Sequence, residues 1–219
     1  MTAKHYAVTL MVSLWISVLT GCDAANKSPQ EKLDFGTLSG STYSNRYFGL
    51  TVTLPEGWTV QEHEAQQKLM KRGAEMIAGG DKNLQALVKA SELQTVNLLA
   101  AFAHPVGAPV AFNPSIACVA ERLDQLPGIK RGSDYLFHAR KLLEAGQIQV
   151  AFPKDVWSER LGGREFDVML LEMTVGARTI RQRYYVLVRK GYALAFVASA
   201  STSDEEAQLK RVMESVTFN

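Results

Sequence analysis

The segment from Phe166 to Leu187 constrains the fold of this 219-residue chain most strongly, because it can be laid out as an antiparallel ribbon. A two-residue hairpin loop at Gly176-Ala177 fixes which residues face each other. It pairs Met173 with Ile180, Leu171 with Gln182 and Met169 with Tyr184 on one face, and Glu172 with Arg181, Val168 with Tyr185 and Phe166 with Leu187 on the other. The pairs far from the loop are apolar on both faces. The body of the ribbon must therefore be covered on both sides, and we expect helices to cover it.

The ribbon continues into a third strand and a last helix. A tight turn at Lys190-Gly191 pairs Leu194 with Leu187 and Phe196 with Tyr185. Beyond this strand, Ser203 and Glu206 have the spacing of a capping box. The apolar stripe of the helix that follows consists of Leu209, Val212, Met213 and Val216.

Hydrophobic periodicity predicts the other elements. The predicted strands are Phe48–Leu54, about Thr95–Ala103 and Ile116–Leu123; the predicted helices are Gln61–Ala78, a helix capped by Asp81, and a helix capped by Ser133 that ends before Gly146. The sequence thus predicts an α+β fold in which an antiparallel β-sheet is sandwiched between α-helices (α/β/α).

The N-terminus has the features of a cleaved signal peptide. Lys4 and His5 precede an uncharged run from Tyr6 to Val18, which is shorter than the roughly 20 residues that a membrane span needs. The motif Leu19-Thr20-Gly21-Cys22 at its end resembles the bacterial lipobox. This resemblance implies removal of residues 1–21 and lipidation of Cys22, so that acyl chains such as palmitate attach the protein to a membrane. A secretory peptide that ends in cysteine, or a short retained helix, is the alternative.

The residues that follow Cys22 indicate the membrane to which the protein is sorted and a tether. By resemblance to enterobacterial lipoproteins, Asp23 implies retention on the periplasmic face of the inner membrane in preference to the outer membrane. Residues 22–45 are mostly polar and small and predict a flexible tether. A single folded domain is then expected over residues 46–219.

Composition excludes few functions. The formal net charge of +2 becomes +1 once Lys4 is removed with the signal peptide, so no nucleic-acid partner is indicated. Cys118 would be the one cysteine left beside the acylated Cys22. Its neighbours are apolar on both sides, which predicts a buried and inert thiol. The alternative is a disulfide between Cys118 and a cysteine of another chain.

Two segments look like known domains. The opening Phe48-Gly49-Leu50-Thr51-Val52-Thr53-Leu54-Pro55-Glu56-Gly57-Trp58 resembles the first strand of PsbP-like domains, and Tyr192–Ser199 with the capped helix that follows is similar to their final strand and helix. The resemblance implies a helix-covered antiparallel sheet and a role as a binding or assembly module. The helical pair between Gln61 and Glu92 departs from the simplest version of that family.

No motif indicates catalysis or a cofactor. His63-Glu64-Ala65-Gln66-Gln67 begins like a zinc-protease helix, but Gln67 replaces the second histidine. His104 and His138 have no ligand partner at suitable spacing, so no metal site is predicted. Neither a serine-hydrolase elbow nor a nucleotide-binding loop is present. A catalytic site assembled from residues that are far apart in the sequence leaves no local motif, so that alternative stays in place.

Two stretches are candidate binding surfaces. The proline-rich connector from His104 to Pro114 carries Val106 and Phe112, which would suit a partner or would pack over the sheet end. Arg181 and Arg183 would suit an anionic ligand or lipid headgroups. The alternative is that Arg181 pairs with Glu172 and the other arginines of this strand are solvated.

We therefore expect a lipid-anchored envelope lipoprotein that acts as a non-catalytic binding or assembly module, attached to the membrane by its anchor and engaging a protein partner. One alternative is a hydrolase-like envelope enzyme with a site near the His104–Pro114 connector, in which His104 or His138 acts as base. The other is a structural lipoprotein.

Overall fold

The computed structural model describes residues 33–219. Its strands are β1 (Thr37–Ser39), β2 (Thr42–Asn45), β3 (Leu50–Thr53), β4 (Thr59–Val60), β5 (Thr95–Phe102), β6 (Ser115–Arg122), β7 (Val150–Ala151), β8 (Trp157–Leu161), β9 (Arg164–Val175), β10 (Arg178–Arg189), β11 (Tyr192–Ala200) and β12 (Thr217–Phe218). Its helices are α1 (His63–Ala78), α2 (Lys82–Gln94), α3 (Gly132–Glu144) and α4 (Ser203–Glu214). The predicted Cys22 and Asp23 sites and the signal peptide lie outside the described residues.

The central feature is an antiparallel sheet in the order β4-β5-β6-β11-β10-β9-β7, with β8 paired to β9. The hairpin register is the predicted one: Met173 pairs with Ile180, Glu172 with Arg181 and Val168 with Tyr185. Leu194 pairs with Leu187 across the Lys190-Gly191 turn, also as predicted. A glycine at φ 62° in the first turn sets this register, since the left-handed region suits glycine best.

Helices cover both faces of the sheet, so the predicted α+β fold is confirmed. Tyr185 and Val186 are neighbours on β10 and point to opposite faces, and both are almost fully buried. Tyr185 packs in the cluster that holds the apolar stripe of α4. Val186 packs in the cluster that holds Leu136 and Leu143 of α3. Helices α1 and α2 pack on the same sheet near β5 and β6.

The folded part begins before Arg46, so the predicted tether is wrong over residues 33–45. A small sheet in the order β1-β2-β3-β12 includes this segment. The Asn45 side chain donates to the Asp34 carbonyl at 2.8 Å and accepts from the Phe48 N–H at 2.9 Å. The hydroxyl of the buried Tyr43 donates to the Phe35 carbonyl at 2.9 Å. Polar side chains satisfied by backbone groups therefore hold a segment whose composition resembles that of a linker.

Among the three helices with a predicted cap, two starts differ from prediction and one agrees. Asp81 caps α2 as expected, because its carboxylate accepts from two backbone N–H groups of the first turn. The capping box of α4 uses Thr202 and Glu205, one residue before the predicted pair. Helix α3 begins at Gly132 and is not capped by Ser133, whose N–H donates instead to Asp167 on β9 at 2.8 Å.

Cys118 is fully buried in the centre of β6, and burial raises the pKa of its thiol well above the ordinary value. The expectation of a buried thiol is confirmed. Strands β7 and β8 at the sheet edge were not predicted, because β7 has only two residues and the outward-facing residues of β8 are polar.

Candidate binding surface

The connector between β5 and β6 is an ordered loop with a closed base. The His104 N–H donates to Oδ1 of Asn113 at 2.9 Å, and Nδ2 of Asn113 donates to the His104 carbonyl at 2.8 Å. A turn through Gly107, at φ 90°, reverses the chain, and the Ala108 N–H donates to the Pro105 carbonyl at 3.0 Å. These bonds close the base of the loop and shape its turn, and Val106 beside the turn is 51% exposed.

The tip of the β9–β10 hairpin lies beside this connector. Val175 and Arg178 form the last pair of the hairpin, and Gly176-Ala177 closes it. Val175 is 46% exposed although valine usually packs in a core. The tip thus presents apolar surface to solvent.

An open groove of about 570 Å³ separates the connector from the hairpin tip. We call it the distal groove; it is lined by Ala111, Phe112, Val175, Ala177, Arg178 and Ile180. Arg178 is the one charged residue of this lining. The groove can therefore hold apolar side chains along its walls, while the Arg178 guanidinium can donate hydrogen bonds to a carboxylate or a backbone carbonyl.

The groove lining offers no pair of acid and base groups for catalysis. His104 is exposed on the connector and His138 is exposed on α3, where its ring contacts Phe137 at 5.5 Å between centroids. Within residues 33–219, no group of three or more His, Cys, Asp or Glu side chains is placed to hold a metal ion. None of the described helices is long and apolar enough to cross a membrane.

The structure separates the two predicted binding stretches. Phe112 lines the groove and Val106 lies exposed on the same connector, but Arg181 and Arg183 lie under α4. Nε of Arg181 donates to Glu172 at 2.8 Å, and its Nη1 donates to Glu206 at 3.0 Å. Arg183 approaches the same Glu206 carboxylate at 3.6 Å. These arginines fix α4 to the sheet, and the expected pairing of Arg181 with Glu172 is confirmed.

The ion pairs of Arg181 change the pKa of its guanidinium group. Hydrogen bonds to Glu172 and then to Glu206 raise the pKa of Arg181 above its usual value. Because two carboxylates already occupy the Arg181 guanidinium, little capacity remains for an external anion.

A buried carboxylate also serves the fold. Glu121 on β6 accepts hydrogen bonds from the Tyr135 hydroxyl of α3 at 2.8 Å and from the Ser91 hydroxyl of α2 at 3.1 Å. Burial and the nearby Glu121 raise the pKa of Tyr135 well above its ordinary value. The cluster connects two helices to the sheet.

Sequence reasoning missed the hairpin side of the groove. The predicted hairpin includes Ala177 and Ile180, but the sequence does not show that these residues and Val175 are neighbours of the connector. The strand alignment contains the signal: Ser115 at the start of β6 pairs with Ser199, which in turn pairs with Gln182 of β10. The connector therefore leaves the sheet at the end where the hairpin tip lies.

Comparison with solved structures shows which known fold this chain resembles. The protein is similar to cyanobacterial PsbP (CyanoP) from Synechocystis sp. PCC 6803, with a TM-score of 0.50 and 13% identity over 84% of this chain and 96% of that chain. The chain has a PsbP-like fold. The resemblance deduced from the two end motifs is confirmed at this level.

Two other structures are similar with TM-scores of 0.39. PA94 from Pseudomonas aeruginosa, a protein of unknown function, shares 17% identity over 55% of this chain and 78% of its own. LpqN, involved in cell envelope biogenesis of Mycobacterium tuberculosis, shares 12% identity over 78% of this chain and 83% of its own. Neither a protein-family model nor a curated protein matches this sequence.

Proposed function

We propose that this protein is a lipid-anchored, non-catalytic binding module of the bacterial envelope that holds an apolar segment of a protein partner in the distal groove. The observation that carries the proposal is the groove itself, an open surface of mixed apolar and polar character between the β5–β6 connector and the tip of the β9–β10 hairpin. Concave surfaces formed by ordered loops are common places for binding on a folded domain.

A protein segment fits the groove better than a small molecule. Pockets for small ligands enclose most of the ligand and present several convergent polar groups. The distal groove is open along its length, and Arg178 is its one charged lining residue. Val175 in the lining is 46% exposed and Val106 on the connector is 51% exposed, so both segments present apolar side chains to solvent. A partner that covers them would remove apolar area from water, which stabilises a complex by about 25 cal/mol per Å² before the costs of association.

Site-specific photo-crosslinking in the native membrane tests the groove. A photoreactive amino acid would replace Ala177 at the hairpin tip or Val106 on the connector, with Lys89 on the exposed face of α2 as the control position. We expect the same adduct from residues 177 and 106 and its absence from residue 89. Equal adducts from all three positions, or none from any, would refute a partner at the groove.

The anchor rests on the sequence motif and needs its own test. Incorporation of labelled palmitate and membrane fractionation should detect a lipidated membrane protein in the wild type and a label-free protein in Cys22→Ser. The proposed inner-membrane location predicts that Asp23→Ser moves the protein to the outer-membrane fraction. An unlabelled wild type found in the soluble fraction would refute the anchor, and an unchanged distribution of Asp23→Ser would refute the sorting role.

A further inference from the structure

A cluster of cations lies at the end of the sheet opposite the distal groove. An open cavity of about 340 Å³ is lined there by the side chains that we call the basal cationic surface: Lys130, Arg131, Arg164 and Arg189. Ile180 in the groove and Arg189 in the basal surface lie on the same strand, nine residues apart. At about 3.3 Å per residue, the two sites are roughly 30 Å apart along the strand.

The fold fixes the loop that carries the first two cations. The backbone N–H groups of Lys130 and Arg131 each donate to the Asp134 carboxylate at 2.9 Å. Gly132 lies so close to β10 that an added Cβ would clash with the Val186 carbonyl oxygen. Lys130 and Arg131 therefore project from a rigid loop.

The positive charge of this surface is only partly balanced. Two acidic residues, Glu165 and Asp167, share the lining with four cationic ones. The Asp167 carboxylate already accepts from the Ser133 N–H at 2.8 Å and the Ser158 hydroxyl at 3.1 Å.

Within the described residues, Lys130, Arg131 and Arg164 make no ion pair within 4.0 Å. Burial, and then the positive charge of Arg164, lower the pKa of Arg189 below its ordinary value. Nε of Arg189 already donates to the Phe48 carbonyl at 2.8 Å and its Nη2 donates to the Asn219 O at 3.3 Å, so the exposed side chains of Lys130, Arg131 and Arg164 are the ones that can meet an external anion.

The chain enters the described structure at this same end. The Asp34 carboxylate accepts from the Tyr47 N–H at 3.0 Å. The Tyr47 ring centre lies 4.9 Å from Nζ of Lys190, the residue that follows Arg189 at the end of β10. The first described residues of the chain therefore lie at the same end of the sheet as the basal cationic surface.

From this placement we infer that the basal cationic surface contacts anionic phospholipid headgroups and holds the domain with its distal groove directed away from the bilayer. The inference rests on the proposed lipid anchor. Cys22 precedes Leu33 by eleven residues, which span at most about 40 Å. This reach lets the surface meet the membrane but does not orient the domain, whereas each cation near an anionic surface adds attraction. An open cavity with exposed Lys130, Arg131 and Arg164 suits a charged plane better than an enclosed small anion.

Fluorescence quenching on the full-length lipidated protein tests the orientation. The protein is reconstituted into phosphatidylcholine vesicles with or without about 30% phosphatidylglycerol, each with a headgroup-attached quencher. A fluorophore is attached to Ser158→Cys at the basal cavity or to Ala177→Cys at the hairpin tip, while Cys118 is buried and stays unlabelled. With phosphatidylglycerol, we expect at least twofold stronger quenching at residue 158 than at residue 177.

A charge-matched pair of triple variants identifies the cause. Lys130→Ala/Arg131→Ala/Arg164→Ala should abolish the difference between the two positions. Lys68→Ala/Arg72→Ala/Lys89→Ala, which removes the same charge from exposed positions of α1 and α2, should keep it. Equal quenching at both positions in the wild type, or a difference that survives the first triple variant, would overturn the inference.

Flotation of the same samples separates this inference from the anchor. If the protein floats with both kinds of vesicle but quenching is equal at residues 158 and 177, the lipid anchor is supported and the contact of the basal cationic surface with the membrane is refuted. If the protein floats only with phosphatidylglycerol vesicles, and Lys130→Ala/Arg131→Ala/Arg164→Ala no longer floats with them, the lipid anchor is refuted and the contact of the basal cationic surface with the membrane is supported. A protein that floats with neither refutes both.

Discussion

Arg181 on β10 and Glu206 on α4 form a 3.0 Å ion pair that connects the last helix to the central strand of the ribbon. This pair exists because the capping box uses Thr202 and Glu205, which leaves the Glu206 carboxylate to face the sheet. Arg181 also binds Glu172, so that two carboxylates share one guanidinium.

Arg181→Ala should lower the free energy of unfolding by about 1 kcal/mol or less, because the pair is partly exposed and water screens it. Chemical denaturation of Arg181→Ala, Glu206→Gln and the double variant measures the coupling. The Ala177 crosslink should be unchanged in Arg181→Ala. Loss of the crosslink with unchanged stability would instead make Arg181 a binding residue.

The Glu121 cluster predicts strongly non-additive mutations. Glu121→Ala leaves the Tyr135 hydroxyl without its acceptor and should cost about 1–3 kcal/mol of unfolding free energy. Tyr135→Phe should cost less when introduced into Glu121→Ala than into the wild type, because the hydroxyl then has no partner to lose. A double-mutant cycle by urea denaturation measures this, and strictly additive costs would contradict the bond.

Two glycine substitutions should have opposite effects. Gly132→Ala places a methyl group against the Val186 carbonyl and should destabilise the protein by about 1–3 kcal/mol or more. Gly73→Ala in α1, where nothing lies within 4 Å of the added Cβ, should stabilise it by roughly 0.5–1 kcal/mol. Thermal unfolding of both variants checks the signs, and equal shifts would contradict the packing of the α3 start against β10.

The Asp134 carboxylate predicts a pH-dependent stability. Backbone N–H donors from Lys130 and then Arg131 hold its pKa below the usual value. A depressed folded-state pKa contributes stability that is present above the unfolded pKa of about 4 and is lost as the pH falls through the folded value. The stability difference between wild type and Asp134→Asn should thus be present at pH 7 and shrink below about pH 4. A difference that does not change with pH would contradict these bonds.

Local signals in the sequence predicted the ribbon and most helices. Gly176 fixes the hairpin, and alternation then determines that Tyr185 and Val186 are covered from opposite sides. Asp81 shows the start of α2 because its cap is made within four residues.

Features made by distant residues could not be deduced in this way. Asn45 is ordered by Asp34 and Phe48, and neither bond leaves a periodic pattern, so the segment resembled a linker. The distal groove needs Phe112 and Ile180, which are adjacent only after β6, β11 and β10 have aligned. Arg181 and Arg183 looked like a binding surface because their carboxylate partner Glu206 belongs to a helix that follows in the sequence.

The most direct test of partner binding at the distal groove is the yield of the Ala177 photo-crosslink in Ile180→Asp, which places a carboxylate in the groove wall. Leu87→Asp, on an exposed position of α2, is the matched control. We expect the adduct to disappear in Ile180→Asp and to keep its wild-type yield in Leu87→Asp, with both proteins folded by circular dichroism. An adduct of undiminished yield in folded Ile180→Asp would contradict this expectation.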